Sequence, residues 1–414
     1  MSSSELELVH QKKSAFPVSC PIYLVCVFRD ESLLLDYFVS YYRSLGVTHF
    51  IMVDNLSDDD GVQFLKQLED INLWVYQAKG SYKDANFGTM WVNGLLEKHC
   101  TNQYCFTLDV DELFLFDSSR FDNLNQLIDS MESEGCNAVS TTLLDMYPKE
   151  TNNGYKKGMD FLSHSSYFDT LNAQYYRPGF YYGVRVHNVG GVRERVFNKT
   201  VCILKFPFFK YNFQPLQMAA GYHFFQENGK VIFESEKVKP LKLPCVLMHF
   251  KFIKPDLSAF FRRRVELNQD WDNSSEYQSY VDALPGESSL SFYDGGYSRR
   301  MESDESLREF FIPIENGDTT PKQDNGVKQE EKAEKLIESS LAALELESGL
   351  TNGKEAEKES LTYFQNIGIS IFGGVIRVFL TKRQYQKLKR TPHLFFNDSN
   401  NDFTRMIGRV LRLC

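Results

Sequence analysis

The sequence predicts an α/β fold built on an open, mostly parallel sheet. From residue 21 onward, short apolar runs of strand length alternate with longer segments whose apolar residues recur at helical spacing. The apolar runs are continuous, as is typical of strands that are buried on both faces. The chain has 414 residues, of which 42% are hydrophobic and 14% aromatic, so it can fill the large core that this fold needs.

The predicted elements follow one another in a regular order. Residues 21–28 (PIYLVCVF) form the first strand, and in the next segment Leu34, Phe38 and Leu45 fall at helical spacing before Gly46 ends the helix. The following elements are a strand at 50–53, a helix at 61–69, a strand at 73–77, a helix at 89–99, a strand from 104 (YCFTLDVDE), a helix at 121–134 and a strand at 138–147. Further on lie HNVGGVRERVFN, LKFPFFKYN, GYHFF and CVLMHFKFI, and the helix DLSAFFRRRVELNQDW closes the globular part.

The composition divides the chain into four parts. We expect a flexible tail at residues 1–18 and a globular domain at 19–301. Residues 302–360 carry 16 acidic and 7 basic side chains, which predicts a solvated linker with one amphipathic helix. Residues 361–414 carry 9 basic and 2 acidic side chains, which predicts a basic, amphipathic, helical C-terminal extension.

The C-terminal extension is predicted to contact an anionic membrane surface or a partner. Its apolar segment NIGISIFGGVIRVFL has 15 residues and contains Arg377. A spanning helix needs about 20 residues. A basic cluster follows directly, and apolar area beside basic charge attracts a helix to anionic headgroups at the inner face of the cytoplasmic membrane. The alternative is that this segment packs onto the globular domain and completes its core.

Charge, cysteine usage and missing motifs argue against several classes of function. The net charge of −9 argues against a nucleic-acid partner. The 8 cysteines are scattered without a CxxC pair, which indicates a reducing compartment and no structural zinc site. The N-terminus lacks the apolar stretch of a signal peptide, so a cytoplasmic location is expected. The sequence has no GxGxxG after a strand, no P-loop and no GxSxG elbow, which disfavours dinucleotide oxidoreductases, P-loop NTPases and α/β-hydrolases.

Acidic residues follow three of the predicted strands. They are Asp30 and Glu31 after the first, Asp54 after the second, and Asp109 and Asp111 in the motif LDVDEL. Ligands of open α/β sheets bind outside the carboxyl ends of the strands, so these acids are expected to line one crevice. The alternative for any single acid is a solvated strand end.

Two carboxylates at a strand end are well suited to a hard divalent cation such as Mg²⁺ or Mn²⁺. A cation held there can bridge the two phosphates of a nucleoside diphosphate and stabilise the charge that accumulates as the diphosphate departs. An acid near the end of an earlier strand can accept hydrogen bonds from a base or ribose. The position of the D-x-D motif, not the motif by itself, therefore favours a nucleotide-sugar donor.

Several segments together resemble the family 2-type glycosyltransferases of bacteria, which have the GT-A fold. They are PIYLVCVFRDES, YFVSYYRSLGVTHFIMVDNLSDD, LDVDELFLF, GGVRERVF, LKFPFFKYN and LMHFKF, and the resemblance covers residues 19–270. It implies a Rossmann-like sheet, a nucleoside-diphosphate-sugar donor and a divalent metal, Mn²⁺ or Mg²⁺. It also implies transfer of one sugar to a glycan or lipid-linked acceptor in surface-polysaccharide synthesis.

The resemblance implies roles for the acids and for one arginine. It places Arg29, Asp30 and Glu31 in the first donor loop and Asp54 at the contact with the nucleoside. It places Asp109 and Asp111 in the metal and diphosphate motif, with Asp111 the stronger candidate for the direct metal ligand. The Glu-Asp pair that often carries the catalytic base of the family is not recognisable. Glu194 and Asp145 are the candidates for that base.

Two further pairs of polar residues are candidates for ligand contacts. Asp84 and Asn86 lie where related enzymes contact the donor, and the alternative is an N-cap for the helix nearby. Arg193 and Arg195 alternate on a predicted strand and would turn one face toward phosphate oxygens of the donor or of a lipid-linked acceptor. The alternative for the arginines is a surface ion pair with Glu194 or a neighbour.

His249 and Lys251 share one face of the last predicted strand. His249 is a candidate to complete the metal shell, and Lys251 is a candidate to contact a phosphate. A structural role is the alternative for both, and His223 is a weaker candidate than His249.

Two other classes of function remain open. A non-catalytic nucleotide-sugar-binding or scaffolding protein would retain the fold, and the intact D-x-D motif argues against it. A metal-dependent hydrolase of phosphate esters is the second. Leu113 stands two places after the second acid, where aspartyl phosphatases carry Thr or Val, so the hydrolase is also disfavoured.

Overall fold

The computed structural model describes residues 5–311, apart from 16–17, 19, 151–153, 172–175, 182–183, 215, 229, 233–234, 269 and 285–289. Its strands are β1 (Leu6–Lys12), β2 (Ile22–Phe28), β3 (His49–Asp54), β4 (Asn72–Ala78), β5 (Tyr104–Leu108), β6 (Glu112–Leu115), β7 (Ala138–Asp145), β8 (Tyr167–Asp169), β9 (Arg177–Tyr181), β10 (Val184–Val189), β11 (Leu204–Lys210), β12 (Gln217–Met218), β13 (Phe225–Glu227), β14 (Lys230–Ile232), β15 (Pro240–His249) and β16 (Ser298–Arg300). Its α-helices are α1 (Ser32–Leu45), α2 (Gly61–Gln67), α3 (Thr89–His99), α4 (Leu124–Ser133), α5 (Phe161–His164), α6 (Val192–Phe197), α7 (Leu257–Leu267), α8 (Trp271–Asp282) and α9 (Arg308–Phe311).

The central sheet has nine strands in the order β1-β4-β3-β2-β5-β11-β7-β15-β6. The strands β4, β3, β2 and β5 are parallel to one another. The strands β7 and β15 run in the same direction as these four, on the far side of the antiparallel β11. The edge strands β1 and β6 are antiparallel to their neighbours. The predicted α/β class is therefore confirmed, with a large mixed sheet in which most strands run one way, compatible with a Rossmann-like fold.

Apolar side chains cover both faces of the sheet. In β2, Leu24 and Phe28 belong to a buried cluster that includes Phe38 of α1. Val25 of the same strand belongs to the cluster on the opposite face, together with Trp91 of α3. Successive side chains of a strand point to opposite faces, so a strand between two helical layers needs apolar residues at every position. This explains the continuous apolar runs of the sequence.

The order of the strands reverses at β2. From β2 the chain moves outward to β3 and β4, and it then returns to place β5 on the other side of β2. The pairings Phe28↔Asp54 and Cys26↔Leu108 show that β2, β3 and β5 end at nearly the same level. The carboxyl ends of β2 and β5 thus flank the point at which ligands bind in open α/β sheets.

The N-terminal segment is more ordered than its composition predicts. The expected flexible tail at residues 1–18 is wrong for Leu6–Lys12, which form β1 and pair with β4. Without β1, β4 would leave an edge of unpaired backbone groups, and β1 supplies their hydrogen bonds. Trp91 Nε1 also donates to Glu5 Oε2 at 3.2 Å, which ties the start of β1 to α3.

The globular domain extends past its predicted boundary at residue 301. A 3₁₀ turn at Asp304–Leu307 and α9 follow, and Leu307, Phe310 and Phe311 are buried. Residues 302–311 are therefore part of the globular domain and not the start of a linker, because Leu307, Phe310 and Phe311 pack into its core. The rest of the predicted linker and the C-terminal extension, at 312–414, lie outside the described residues. Within the described part of the chain, no helix has the length and apolar character to cross a membrane.

Candidate functional site

The turn that carries Asp109 and Asp111 is fixed from within and by two neighbouring elements. Inside the turn, Glu112 N donates to Asp109 O at 3.1 Å. The buried Tyr42 hydroxyl of α1 donates to Glu112 O at 3.0 Å. Phe250 N, just after β15, donates to Asp111 O at 2.7 Å. The backbone at the end of β5 is therefore held in place independently of the acidic side chains.

The three carboxylates of this turn differ in exposure. The side chain of Asp109 is 44% exposed and that of Asp111 is 18% exposed, whereas Glu112 is buried. Lys205 Nζ, from β11, donates to Asp109 Oδ2 at 3.1 Å and to Glu112 Oε1. Burial raises the pKa of Glu112 to about 7, although Lys205 lowers it. The buried ammonium is what allows these acids to lie so close together.

Asp111 faces a row of buried polar side chains. Its Oδ2 is 3.5 Å from His249 Nε2, and His249 Nδ1 bonds to Asp145 Oδ1 at 2.7 Å. Arg193 Nε donates to Asp145 Oδ2 at 2.7 Å. The contact with Asp145 fixes the orientation of the imidazole and leaves Nε2 turned toward Asp111.

Positive groups converge on Asp111. Burial alone would raise the pKa of Asp111, but the charge and hydrogen bond of His249 and the charges of Lys254 and Lys251 hold that pKa well below its usual range. Burial likewise opposes a charged His249, yet Asp111 and Asp145 raise the pKa of its imidazole. Asp111 is therefore ionised at neutral pH.

The loop after β2 is tied to the segments after β15. Lys254 Nζ donates to both carboxylate oxygens of Glu31 at 2.7 Å. Asp30 adopts the left-handed region, with a φ of 54°. Its Oδ2 accepts a hydrogen bond from Arg263 Nη2 of α7 at 3.3 Å and lies 3.8 Å from Arg29 Nε. All three residues predicted for the first donor loop thus lie at the carboxyl edge of the sheet.

Asp54, at the end of β3, organises the next loop. It is 1% exposed, its Oδ1 accepts from Ser57 N at 2.9 Å, and its Oδ2 accepts from Gln77 Nε2 at 3.1 Å. Ser57 Oγ in turn accepts from Asp30 N at 2.9 Å. Asp54 therefore holds the loops after β2 and β3 together, and its predicted contact with a nucleoside stays a prediction.

Arg193 and Arg195 lie on the helix α6 and not on the predicted strand. Asn198, with a left-handed φ of 51°, ends the helix. Residues two apart on a helix do not share a face, so the predicted common phosphate-binding face is wrong. Arg193 Nη1 donates to Glu276 at 3.3 Å, and Arg195 makes two hydrogen bonds of 2.8 Å to Asp169. Both guanidinium groups pair with carboxylates of the interior.

The two candidate bases, Asp145 and Glu194, lie in different surroundings. Asp145 is 4% exposed, and its two oxygens accept from Arg193 and His249. Burial would raise the pKa of Asp145, but these partners lower it. Both carboxylate oxygens of Asp145 therefore have partners within the protein, where Asp145 orients His249, and its predicted role as the catalytic base stays a prediction. Glu194 is half-buried on α6, and its role stays a prediction.

Lys251 lies in the turn after β15 and contacts α8. Its Nζ donates to the Tyr277 hydroxyl at 3.2 Å and is 3.3 Å from Glu276 Oε1. The side chain of Glu276 is 27% exposed. Burial would raise the pKa of Glu276, but Lys251 and Arg193 lower it. The charge of Lys251 also acts on Asp111, and its predicted phosphate contact stays a prediction.

The loop after β4 holds Asp84 and Asn86, whose side chains are exposed. The N-cap of α3 is Gly88, and no side chain caps the helix, so the alternative role of either residue as an N-cap is wrong. Beside them, Lys83 Nζ donates to Asn273 Oδ1 of α8 at 3.1 Å. The loop therefore lies against α8, and the predicted donor contacts of Asp84 and Asn86 stay predictions.

Three polar residues of this edge were not predicted from the sequence: Lys205, Lys254 and Glu276. A signal existed only for Lys205, which stands in the apolar strand LKFPFF, where a buried ammonium needs an acidic partner. His223 lies beside the same strand, and its Nδ1 donates to Leu204 O at 2.6 Å. Burial and the nearby Lys205 charge lower the pKa of His223 to about 4, so this histidine is neutral.

The side chains present fit a divalent cation at Asp111 and His249. A carboxylate oxygen and an imidazole nitrogen are suitable ligands for Mn²⁺, and Asp145 backs the imidazole as a carboxylate does behind many metal-ligating histidines. Asp109, also predicted as a ligand, already has one oxygen paired with Lys205. Among the described residues, no group of three Asp, Glu, His or Cys side chains forms a ready metal cluster. Water or a bound ligand would supply the remaining positions.

Neither a scan of protein-family models nor a search of curated proteins gives a match for this chain. The acidic edge is the carboxyl end of β2, β3 and β5 with Asp30, Glu31, Asp54, Asp109 and Asp111, and its chemistry is therefore inferred from its own side chains.

Proposed function

We propose that the chain is a glycosyltransferase of the GT-A fold, which transfers one sugar from a nucleoside-diphosphate-sugar donor to a glycan or lipid-linked acceptor. One observation carries the proposal. The D-x-D turn follows β5 directly beside the end of β2, where the order of the strands reverses. Ligands of open α/β sheets bind at this point. Acids that suit a cation stand there instead of a glycine-rich phosphate loop, which favours a metal-bridged diphosphate.

Different side chains of the acidic edge would contact the metal ion, the phosphates and the nucleoside of the donor. Asp111 and His249 would hold the divalent cation, which supplies Lewis-acid stabilisation of the departing diphosphate. Lys251 and Lys254 place two further positive charges near Asp111, and these charges would attract the phosphates of the donor. The loops after β2 and β3, joined through Ser57, would hold the nucleoside.

The resemblance of the motifs favours a role in bacterial surface-polysaccharide assembly at the inner face of the cytoplasmic membrane. The segment that would contact the membrane, residues 361–414, lies outside the described residues. The acceptor class therefore depends on the motif resemblance, and the donor class depends also on the geometry of the edge.

The test is nucleotide release from a panel of nucleoside-diphosphate sugars in the presence of Mn²⁺ or Mg²⁺. We expect release from one donor class, with stimulation by a glycan or lipid-linked acceptor. Tight binding of a nucleotide sugar without transfer would favour a non-catalytic nucleotide-sugar-binding protein instead. Hydrolysis of simple phosphate esters would favour a hydrolase.

Removal of divalent cations is expected to abolish transfer and to weaken the binding of free nucleoside diphosphates. Without a cation, Asp109 and Asp111 repel the two phosphates. Isothermal titration with UDP and GDP, in Mn²⁺ and in excess EDTA, measures the effect on binding. Transfer at an unchanged rate in excess chelator would contradict the metal requirement.

Replacing Asp54 by alanine is expected to raise the Michaelis constant for the donor more than it lowers the catalytic constant. The variant loses the carboxylate that holds Ser57 and Gln77, and a rise of about tenfold corresponds to about 1.4 kcal/mol of lost binding. Steady-state kinetics at varied donor concentration separate the two constants. Asp58→Ala is the matched control in the same loop, because its side chain is 81% exposed. A loss confined to the catalytic constant would place Asp54 at the reacting centre.

A further inference from the structure

The antiparallel strand β11 brings its amino end to the acidic edge. It pairs with β5 in a register that includes Lys210↔Tyr104. The pairing with β5 extends to Phe208↔Phe106, and Lys205, three residues nearer the start of β11, has its Nζ 3.1 Å from Asp109 Oδ2. A parallel strand in the same position would bring its other end to this edge. The reversed strand is thus what delivers a lysine to the D-x-D turn.

Lys205 reaches Asp109 from the interior. The side chain of Lys205 is 4% exposed, whereas that of Asp109 is 44% exposed. The same ammonium bonds to Glu112 and lies 5.6 Å from the centre of the Tyr222 ring. These partners hold the ammonium in place, so its charge acts on Asp109 at a fixed distance.

We propose that Lys205 is an internal counter-ion that competes with a divalent cation for Asp109. Each acid of the motif already faces a partner within the protein, the Lys205 ammonium for Asp109 and the His249 imidazole for Asp111. A free metal ion is repelled by the Lys205 charge. A metal ion that arrives with a diphosphate brings negative charge that attracts Lys205. The turn therefore favours the metal–diphosphate complex over the free metal.

The competition between Lys205 and a divalent cation for Asp109 rests on the geometry of these side chains. Only the preference for a metal–diphosphate complex rests on the proposed function. A unit charge about 5 Å from a divalent cation, in a dielectric close to that of water, changes affinity by roughly tenfold. Binding of Mn²⁺ alone therefore tests the role of Lys205 without any glycosyl transfer.

The experiment is isothermal titration of the full chain with Mn²⁺ in the absence of nucleotide. Lys205→Met is expected to bind Mn²⁺ about tenfold more tightly than the unmodified protein. In saturating Mn²⁺, the same variant is expected to bind UDP or GDP more weakly, because it lacks the Lys205 ammonium that attracts the diphosphate. A structural defect would weaken the binding of both Mn²⁺ and the nucleoside diphosphate. Tighter Mn²⁺ binding together with weaker diphosphate binding therefore identifies the competition.

Lys210→Met is the matched control on the same strand. It removes the same charge at the opposite end of β11, where Lys210 pairs with the half-exposed Glu132 at 3.0 Å. Solvent screens this position from the acidic edge, and we expect Mn²⁺ affinity to stay within about twofold.

A second variant guards against misfolding. Lys205→Met alone leaves the buried Glu112 without its partner, which destabilises the fold. Lys205→Met combined with Glu112→Gln removes both buried charges and still frees Asp109, so the same gain in Mn²⁺ affinity is expected. Glu112→Gln alone keeps the Lys205 charge on Asp109 and is expected to bind Mn²⁺ no more tightly than the unmodified protein.

The outcomes separate this inference from the proposed function. Unchanged or weaker Mn²⁺ binding in both Lys205 variants, with metal-dependent transfer by the unmodified protein, overturns the competition and leaves the proposed function standing. No Mn²⁺ binding by any variant, with transfer still detected in chelator, overturns the competition and the metal requirement together. Tighter Mn²⁺ binding by both Lys205 variants, with weaker binding of the nucleoside diphosphate, supports it.

Discussion

Asp111→Asn is expected to lower the turnover of glycosyl transfer by about 10³-fold, because several kcal/mol of metal-assisted stabilisation would be lost. Asparagine keeps the size of the side chain and the backbone bond from Phe250 N to Asp111 O. The side chain of Asp111 is also partly exposed, so the fold should persist. Single-turnover release of nucleotide, with far-UV circular dichroism as the check on folding, measures both properties.

Asp109→Asn is the matched control for this prediction. It makes the same chemical change two residues away, at the carboxylate that Lys205 already neutralises. A smaller loss of turnover is expected there than at Asp111. Equal losses at the two positions would show that both acids bind the metal directly, and full turnover in Asp111→Asn would remove Asp111 from the metal site.

Arg195→Met is expected to lower the free energy of unfolding by about 3–5 kcal/mol, the usual effect of leaving a buried charge unpaired. The side chain of Arg195 is 9% exposed and that of its partner Asp169 is 0% exposed. The two make a bidentate ion pair, and Arg195 Nη2 also donates to Phe292 O at 2.7 Å. Urea titration of the full chain, followed by its intrinsic fluorescence, measures the loss.

Two further variants show whether the loss of stability comes from the unpaired buried charge. Arg195→Met combined with Asp169→Asn removes both charges and should recover part of the lost stability. Arg308→Met removes an exposed arginine whose side chain is 70% exposed, and we expect a change of less than about 1 kcal/mol. If Arg195→Met were as stable as the unmodified protein but bound the donor poorly, the phosphate role predicted for Arg195 would be restored.

The local parts of the fold were predictable from the sequence. The helix predicted at 89–99 is α3 (Thr89–His99), and the strand predicted at 21–28 is β2 (Ile22–Phe28). Both signals are short-range: a helical repeat of apolar residues in one case, and a continuous apolar run between two helical layers in the other. The acids at Asp30, Asp54 and Asp109 were found in the same way, because they interrupt such runs.

The non-local parts were not predictable. The place of β11 between β5 and β7 depends on pairing with strands about 60 to 100 residues away. Lys254 stands in an ordinary loop, and nothing in its neighbourhood reveals that it pairs with Glu31. The segment VRERVF alternates as a strand would, yet it forms α6, because Arg193 and Arg195 find separate buried acids on different sides of it.

The bond between Lys254 and Glu31 joins residues 223 positions apart. During synthesis, the loop after β2 leaves the ribosome long before Lys254 and Arg263, which hold it in place. Contacts of such high sequence separation form late, because a long loop must close before they stabilise anything. The acidic edge is therefore among the last regions to become native, and a nascent chain that stops before β15 has its carboxylates and Lys205 but lacks Lys254 and Arg263.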